Sequence, residues 1–213
     1  MMVHQTSNHG CRRRSVLNLA GFLARSAANG PGIRAVVWVQ GCPIRCKECF
    51  NHKFWSFSPV NRVSADDLAN RIITTKEIDG VTFSGGEPFF QAEGLASVGE
   101  QVHEAGLTVV TYTGYTYEQL TARTNTDWNW LLNVTDLLIA GPYIAAFACS
   151  DPYIGSSNQQ IISLTGRIRT GSSHEPAHGE LVEFSITPDG MVTTTGFPQK
   201  QLVREIAARC RGE

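Results

Sequence analysis

Residues Ile33 to Cys49 read IRAVVWVQGCPIRCKEC. From Ile33 to Gln40 nearly every position is β-branched or apolar, the pattern of a strand covered on both faces in a parallel sheet. That strand runs directly into a loop carrying Cys42, Cys46 and Cys49, spaced C-x3-C-x2-C. Downstream, Ser64 caps an amphipathic run from Ala65 to Thr75, with Asp66 and Asp67 in the first turn where the helix dipole favours anions. Gly80 to Ser84 reads as a short strand ending in Gly85-Gly86-Glu87-Pro88, and Phe90 to Ala105 as a helix closed by Gly106. The unit then repeats with a strand at Leu107 to Thr113, a helix at Thr116 to Ala122, and a strand at Val134 to Ala140 before Gly141-Pro142. Strands alternating with helices at this spacing imply βαβ crossovers and a parallel sheet.

The expected fold class is therefore α/β, a partial (open) TIM-like βα barrel with mostly parallel strands. In such folds ligands gather at the C-terminal ends of the strands. The cysteine loop, the GGEP turn, Thr113-Gly114-Tyr115 and Gly141-Pro142 all follow strands, so all four are expected on one face. Residues 150–180 are rich in Ser, Gly and Pro and read as loop. Leu181 to Thr187, the Pro188-Asp189-Gly190 turn and Met191 to Thr195 give a hairpin signal, with Gln199 to Arg209 as a final helix. The expected organisation is a polar tail over 1–14 and a single domain over 15–213, with its core at about 28–165 and a C-terminal extension at about 166–213.

Hydrophobic residues make up 42% of the 213 residues and charged residues 17%, which excludes a wholly disordered chain. Eighteen Lys plus Arg against 19 Asp plus Glu leave a net charge of -1, so no overall field draws the protein to nucleic acid or anionic lipid. The most apolar stretch, Leu137 to Ala148, is too short to cross a bilayer, which takes about 20 residues. Arg12, Arg13 and Arg14 precede an apolar patch at Val16 to Leu23, but Asn18 interrupts it and no convincing cleavage site follows, so a targeting peptide is not expected. Six cysteines are too few for a disulfide-stapled domain, and three of them lie within eight positions. That clustering asks for a metal in a reducing, cytoplasmic location, with Cys11, Cys149 and Cys210 as incidental thiols.

Three thiolates can hold three irons of a 4Fe-4S cube and leave the fourth open to an outside ligand. The same spacing permits a structural zinc site of Cys42, Cys46, Cys49 and His52. In FSGGEPF, Phe83 to Phe89, two glycines allow a ligand to approach the backbone, Pro88 suits a helix start, and Glu87 offers a carboxylate to a cationic group.

Together these segments resemble the radical S-adenosylmethionine superfamily. Within it the chain looks like the activases of glycyl radical enzymes, and most like those of anaerobic ribonucleoside-triphosphate reductases. The resemblance is carried by Gly41 to Asn51 (GCPIRCKECFN), Ser84 to Pro88 (SGGEP), Tyr112 to Leu120 (YTGYTYEQL), Ile139 to Tyr143 (IAGPY) and Gly155 to Ile161 (GSSNQQI). It implies that Cys42, Cys46 and Cys49 hold a 4Fe-4S cluster whose open iron is chelated by the methionine moiety of S-adenosylmethionine. Gly85, Gly86 and Glu87 would then receive the methionine ammonium, with Pro88 as a further cofactor contact, and Thr113, Gly114 and Tyr115 the ribose or the methionine carboxylate. Ser156 and Asn158 are further candidates for the cofactor or an inserted partner loop. The resemblance also implies one-electron cleavage to a 5′-deoxyadenosyl radical, a glycyl radical enzyme as protein substrate, and a low-potential electron donor such as flavodoxin or ferredoxin. A pyruvate formate-lyase type activase or a peptide-modifying relative is the alternative enzyme, and an iron-sulfur or zinc binding module the alternative without catalysis.

Overall fold

A computed structural model describes residues 15–168, 181–186, 192–196 and four residues between 205 and 209. The expected tail over 1–14, the hairpin turn at Pro188-Asp189-Gly190, Cys11 and Cys210 lie outside the described residues, as does most of the expected final helix. The strands are β1 (Val16–Ser26), β2 (Arg34–Val39), β3 (Asn61–Ser64), β4 (Gly80–Gly85), β5 (Thr108–Thr113), β6 (Leu137–Ala140), β7 (Gln160–Ser163), β8 (Val182–Ile186) and β9 (Val192–Gly196). The helices are α1 (Ala65–Ile73), α2 (Ala92–Glu104), α3 (Tyr117–Thr121) and α4 (Thr126–Asn133).

The first seven strands form one sheet in the order β3-β1-β2-β4-β5-β6-β7. β2, β4, β5 and β6 are parallel neighbours, while β1 runs antiparallel to both β2 and β3, and β7 antiparallel to β6. The expectation is met at the level of a mostly parallel α/β sheet. The sheet has two edges, at β3 and β7, and its described strands do not close into a barrel.

The parallel strands are largely buried because both faces of the sheet are covered. Ala35, Val37, Val39, Val81, Phe83, Val109, Leu138 and Ala140 pack with Leu68 and Ile72 of α1, Leu95, Val98 and Val102 of α2, and Leu131 of α4. On the other face Val110, Leu137 and Ile139 pack with Tyr112 and Ile154. α1 begins as expected, with the Ser64 side chain accepting from Asp67 N–H at 3.0 Å. α3 carries a capping box, in which Thr116 and Gln119 satisfy each other's backbone N–H groups.

Several readings are corrected. Val16 to Leu23, which the sequence assigned to no element, is the body of β1, with Leu17 and Leu19 each 1% exposed. The expected loop over 150–180 contains β7, which registers Ala140 against Gln160; four residues leave too little alternation for sequence to show. The helix expected from Phe90 opens instead as a 3-10 turn over Pro88–Gln91 and turns α-helical at Ala92. α4 went unpredicted.

β8 and β9 form the expected hairpin as a separate two-stranded sheet. It packs beside the β1–β2 connection: Glu183 meets the Ser26 hydroxyl, and Thr195 Oγ1 lies 2.8 Å from Asn29 Nδ2. These contacts lie near the N-terminal end of β2, and the cysteine loop leaves from its other end.

Candidate metal centre

The cysteine loop is anchored on both sides. Gly41 N–H donates to Phe54 O at 2.8 Å and Cys42 N–H to Trp55 O at 3.2 Å, tying the start of the loop to its return. Arg45 (φ 53°) and Glu48 (φ 63°) adopt the left-handed conformation on either side of the Cys46-Lys47 pair. Each such residue costs on the order of 1 kcal/mol or more. Together they coil the chain tightly enough for Cys49 N–H to reach Cys46 O at 3.1 Å.

Backbone N–H groups point at the sulfurs. Burial pushes the Cys42 thiol above its ordinary pKa, opposed by hydrogen bonds from the N–H groups of Ile44 and Arg45. Burial raises the Cys46 thiol too, opposed by the N–H of Tyr143 in the segment after β6, and neighbouring Cys49 and Cys42 add to the rise. Asn51 N–H lies 3.4 Å from the Cys49 sulfur. Such N–H donors stabilise thiolates, the form that binds metal.

Among the described residues no three His, Cys, Asp or Glu side chains converge on a point that would hold a single ion. The His52 ring stands edge-on to Trp55, their centroids 6.4 Å apart. The four-ligand zinc arrangement is therefore not formed. Three free thiols, within electrostatic reach of one another and each with a peptide N–H donor, fit the spread-out ligation of an iron-sulfur cube.

The GGEP turn lies against this loop because its glycines allow it. Gly86 N–H donates to Val39 O at 2.7 Å and Glu87 N–H to Gly41 O at 2.9 Å. A Cβ on Gly86 would fall 2.3 Å from Gly41 O, so only glycine permits the approach. Gly85 has φ +105°, the left-handed side again.

Glu87 corrects an expectation about its side chain. The residue is 1% exposed; its Oε1 accepts from Phe89 N–H and Thr113 Oγ1, and its Oε2 from Gly114 N–H, all at 2.9 Å. The carboxylate ties β4 to the loop after β5 instead of standing open to a cation. Burial raises its pKa to about 7 against these three hydrogen bonds. Pro88, buried, begins the 3-10 turn beyond it. Thr113, Gly114 and Tyr115 are brought to the same end as expected, with Thr113 Oγ1 also accepting from Tyr115 N–H at 3.1 Å. Gly114 faces the cysteine loop, its Cβ position being 2.7 Å from Ile44 Cδ1.

A profile described as "4Fe-4S single cluster domain" matches residues 28–162. The chain belongs to this family. Among curated proteins, the 4Fe-4S single cluster domain chain is similar to a pyruvate formate-lyase-activating enzyme of Clostridium pasteurianum, 35% identical over 117 residues, covering 52% of this chain and 46% of that protein. It is also similar to one of Staphylococcus aureus strain USA300, 36% identical over 85 residues, covering 37% of this chain and 34% of that protein. The matched stretches thus span less than half of either relative's length.

Ser156 and Asn158 sit at the β6 end of the same face. Ser156 is fully buried and its Oγ accepts from Ile144 N–H at 3.2 Å, a tie within the protein. Asn158 Nδ2 donates to Pro142 O at 2.8 Å. Sequence reasoning missed Gln159 as an organiser of this loop and Tyr143 as a contact of Cys46. The Tyr143 contact is made by backbone, which leaves no side-chain signal to read. Among the described residues no helix is long and apolar enough to cross a membrane.

Proposed function

We propose that this protein is a radical S-adenosylmethionine activase that generates a glycyl radical on a partner enzyme. The observation carrying this reading is the three-cysteine loop with its N–H donors, pressed against the Gly85-Gly86 turn at the C-terminal ends of adjacent parallel strands. Cys42, Cys46 and Cys49 hold the cluster, and the backbone carbonyls of the Gly85-Gly86 turn are the acceptors for the methionine ammonium. When bound, the cluster and S-adenosylmethionine supply a one-electron reductive cleavage and a 5′-deoxyadenosyl radical that takes a hydrogen atom from a glycine. The chain's own part is positioning: Glu87 locks the turn to Gly114, and the cysteine loop presents its three thiolates to one side.

The names of the relatives favour a pyruvate formate-lyase type partner over the ribonucleotide reductase expected from sequence. The segments YTGYTYEQL and GSSNQQI support the reductase as a second reading. A low-potential donor such as flavodoxin or ferredoxin would supply the electron. The test is anaerobic reconstitution with iron and sulfide, dithionite reduction, and chromatography for 5′-deoxyadenosine. A brown protein that forms it supports the reading, and a colourless protein binding one zinc defeats it. Glycyl radical formation with each candidate partner, read by electron paramagnetic resonance, separates the two classes.

A further inference from the structure

The segment that carries the three cysteines is charged unlike the rest of the chain. From Gly41 to Arg62 it holds Arg45, Lys47, Lys53 and Arg62 against the single acid Glu48, a net charge of +3 in a chain of net charge -1, which leaves -4 to all other residues. All four basic residues are exposed. Among the described residues none of them enters an ion pair; the pairs formed are Arg25 with Glu77, and His103 and Arg167 with Asp136. A basic patch on an acidic remainder steers and orients an acidic partner.

The position of the patch says which partner. One side of the loop rests on the site itself, where Gly41 O accepts from Glu87 N–H at 2.9 Å and Ile44 Cδ1 is 2.7 Å from the Cβ position of Gly114. Half-buried Cys46 and Cys49 alternate along the chain with exposed Arg45, Lys47 and Glu48, so a protein resting on these side chains touches the immediate neighbours of two metal-binding thiols. Arg62 is held nearby, opposite Asn18, whose carbonyl accepts from Gln40 N–H at 2.8 Å just before the loop. Exposed Phe50, Phe57 and Val60 add apolar contact on the same segment. The reading above calls for two protein visitors. The glycine-bearing partner must enter the mouth at the strand ends, where the Gly85-Gly86 turn stands, whereas an electron donor needs only to come close to the cluster. The exposed side of the cysteine loop gives that closeness and leaves the mouth free. We infer that Arg45, Lys47, Lys53 and Arg62 form the docking surface for an acidic one-electron donor protein. One electron leaves the donor, which is oxidised, and enters the cluster held by the three cysteines, which is reduced; no bond forms or breaks. The inference rests on the reading above, since it needs the cluster in place. Contacts between redox partners are small and transient, so charge governs their formation.

The experiment titrates an acidic flavodoxin, and separately an acidic ferredoxin, into the cluster-loaded protein by calorimetry at about 50 and about 300 mM salt. Cluster reduction is followed by absorbance with the same donors reduced, and with photoreduced deazaflavin, a small reductant that needs no docking. Wild type binds at least one donor protein, about tenfold more weakly at the higher salt. The double variant Lys47→Glu/Lys53→Glu binds about tenfold more weakly at low salt, loses most of the salt dependence and is reduced more slowly by the donor protein, while cluster content and reduction by deazaflavin stay at wild type. Lys76→Glu, the same reversal in the exposed segment before β4, changes none of these. Lys53→Glu alone lies outside the cysteine span and weakens binding about threefold, which keeps the test in force where Lys47→Glu disturbs cluster loading. Binding of neither donor, salt-independent binding, an equal effect of Lys76→Glu, or slowed reduction by deazaflavin in Lys53→Glu overturns the inference alone. A wild type that takes up no cluster overturns the functional reading and the inference with it.

Discussion

At the N-terminal end of the parallel strands, buried Asp136 accepts from His103 Nε2 at 2.9 Å, from Val109 N–H at 2.8 Å and from the Thr165 hydroxyl, with Arg167 3.8 Å away. Beside it the buried Arg34 guanidinium donates to the carbonyls of Pro31, Val81 and Thr108 at 2.8–3.0 Å. At the C-terminal end, Glu87 is equally buried, yet its donors are one hydroxyl and two backbone N–H groups, and its pKa climbs to about 7. One end of the sheet gathers opposite charges around its buried groups. The other buries a carboxylate with neutral donors and lifts two neighbouring thiols. Burial perturbs the Arg34 end as well, lowering its guanidinium to about 10, so the two ends differ in what surrounds the buried groups: charges and carbonyls at one, neutral donors beside the cysteine loop at the other.

The sharpest way to break this contrast is Cys46→Ala. It should abolish cluster loading and all 5′-deoxyadenosine formation while the sheet remains folded by circular dichroism; retained cleavage would sink the assignment of the three thiols. Arg34→Met tests the opposite end. Stranding three carbonyls at the strand starts should lower unfolding stability by about 4 kcal/mol in urea titrations, with cluster content per folded molecule unchanged. A loss of cluster from the folded fraction would show that the two ends are coupled.

Glu87→Gln probes the mouth through pH. A folded pKa raised from 4.5 to about 7 means the native state holds this proton more tightly than the unfolded chain. The corresponding stabilisation is fully present below pH 4.5, falls as pH rises, and is gone above about 7, a change of at most about 3 kcal/mol. Urea midpoints of the cluster-free protein should show that decline, and Glu87→Gln should flatten it. An unaltered slope in the variant would mean that another group titrates.

Much of the scaffold was legible because its cues are local. β2 and β6 are almost wholly apolar, and β4 and β5 mix Val, Phe and Tyr with Thr, so their strand character follows from β-branched and aromatic composition. Ser64 and Thr116 announce α1 and α3 through hydroxyls three residues ahead of the N–H groups they cap. β1 was obscured because Asn18 interrupts its apolar run. In the structure the Asn18 side chain is used, its Nδ2 donating to Ser58 O at 3.0 Å and its Oδ1 accepting from Val60 N–H at 2.8 Å. β7 and α4 are short, and neither carries enough periods to stand out.

The sequence by itself determined the three-cysteine loop, the glycine turn and the alternation of strand and helix that carries them to one end of the sheet, since spacing, glycine and hydrophobic period are properties of neighbouring residues. Only the tertiary structure decided that the Glu87 carboxylate is a tie and that the amide of Asn158 is spent on the Pro142 carbonyl. Both outcomes depend on hydrogen bonds to residues 16 to 27 positions away, and the direction in which a side chain spends its polar atoms is set by partners that chain connectivity does not place beside it.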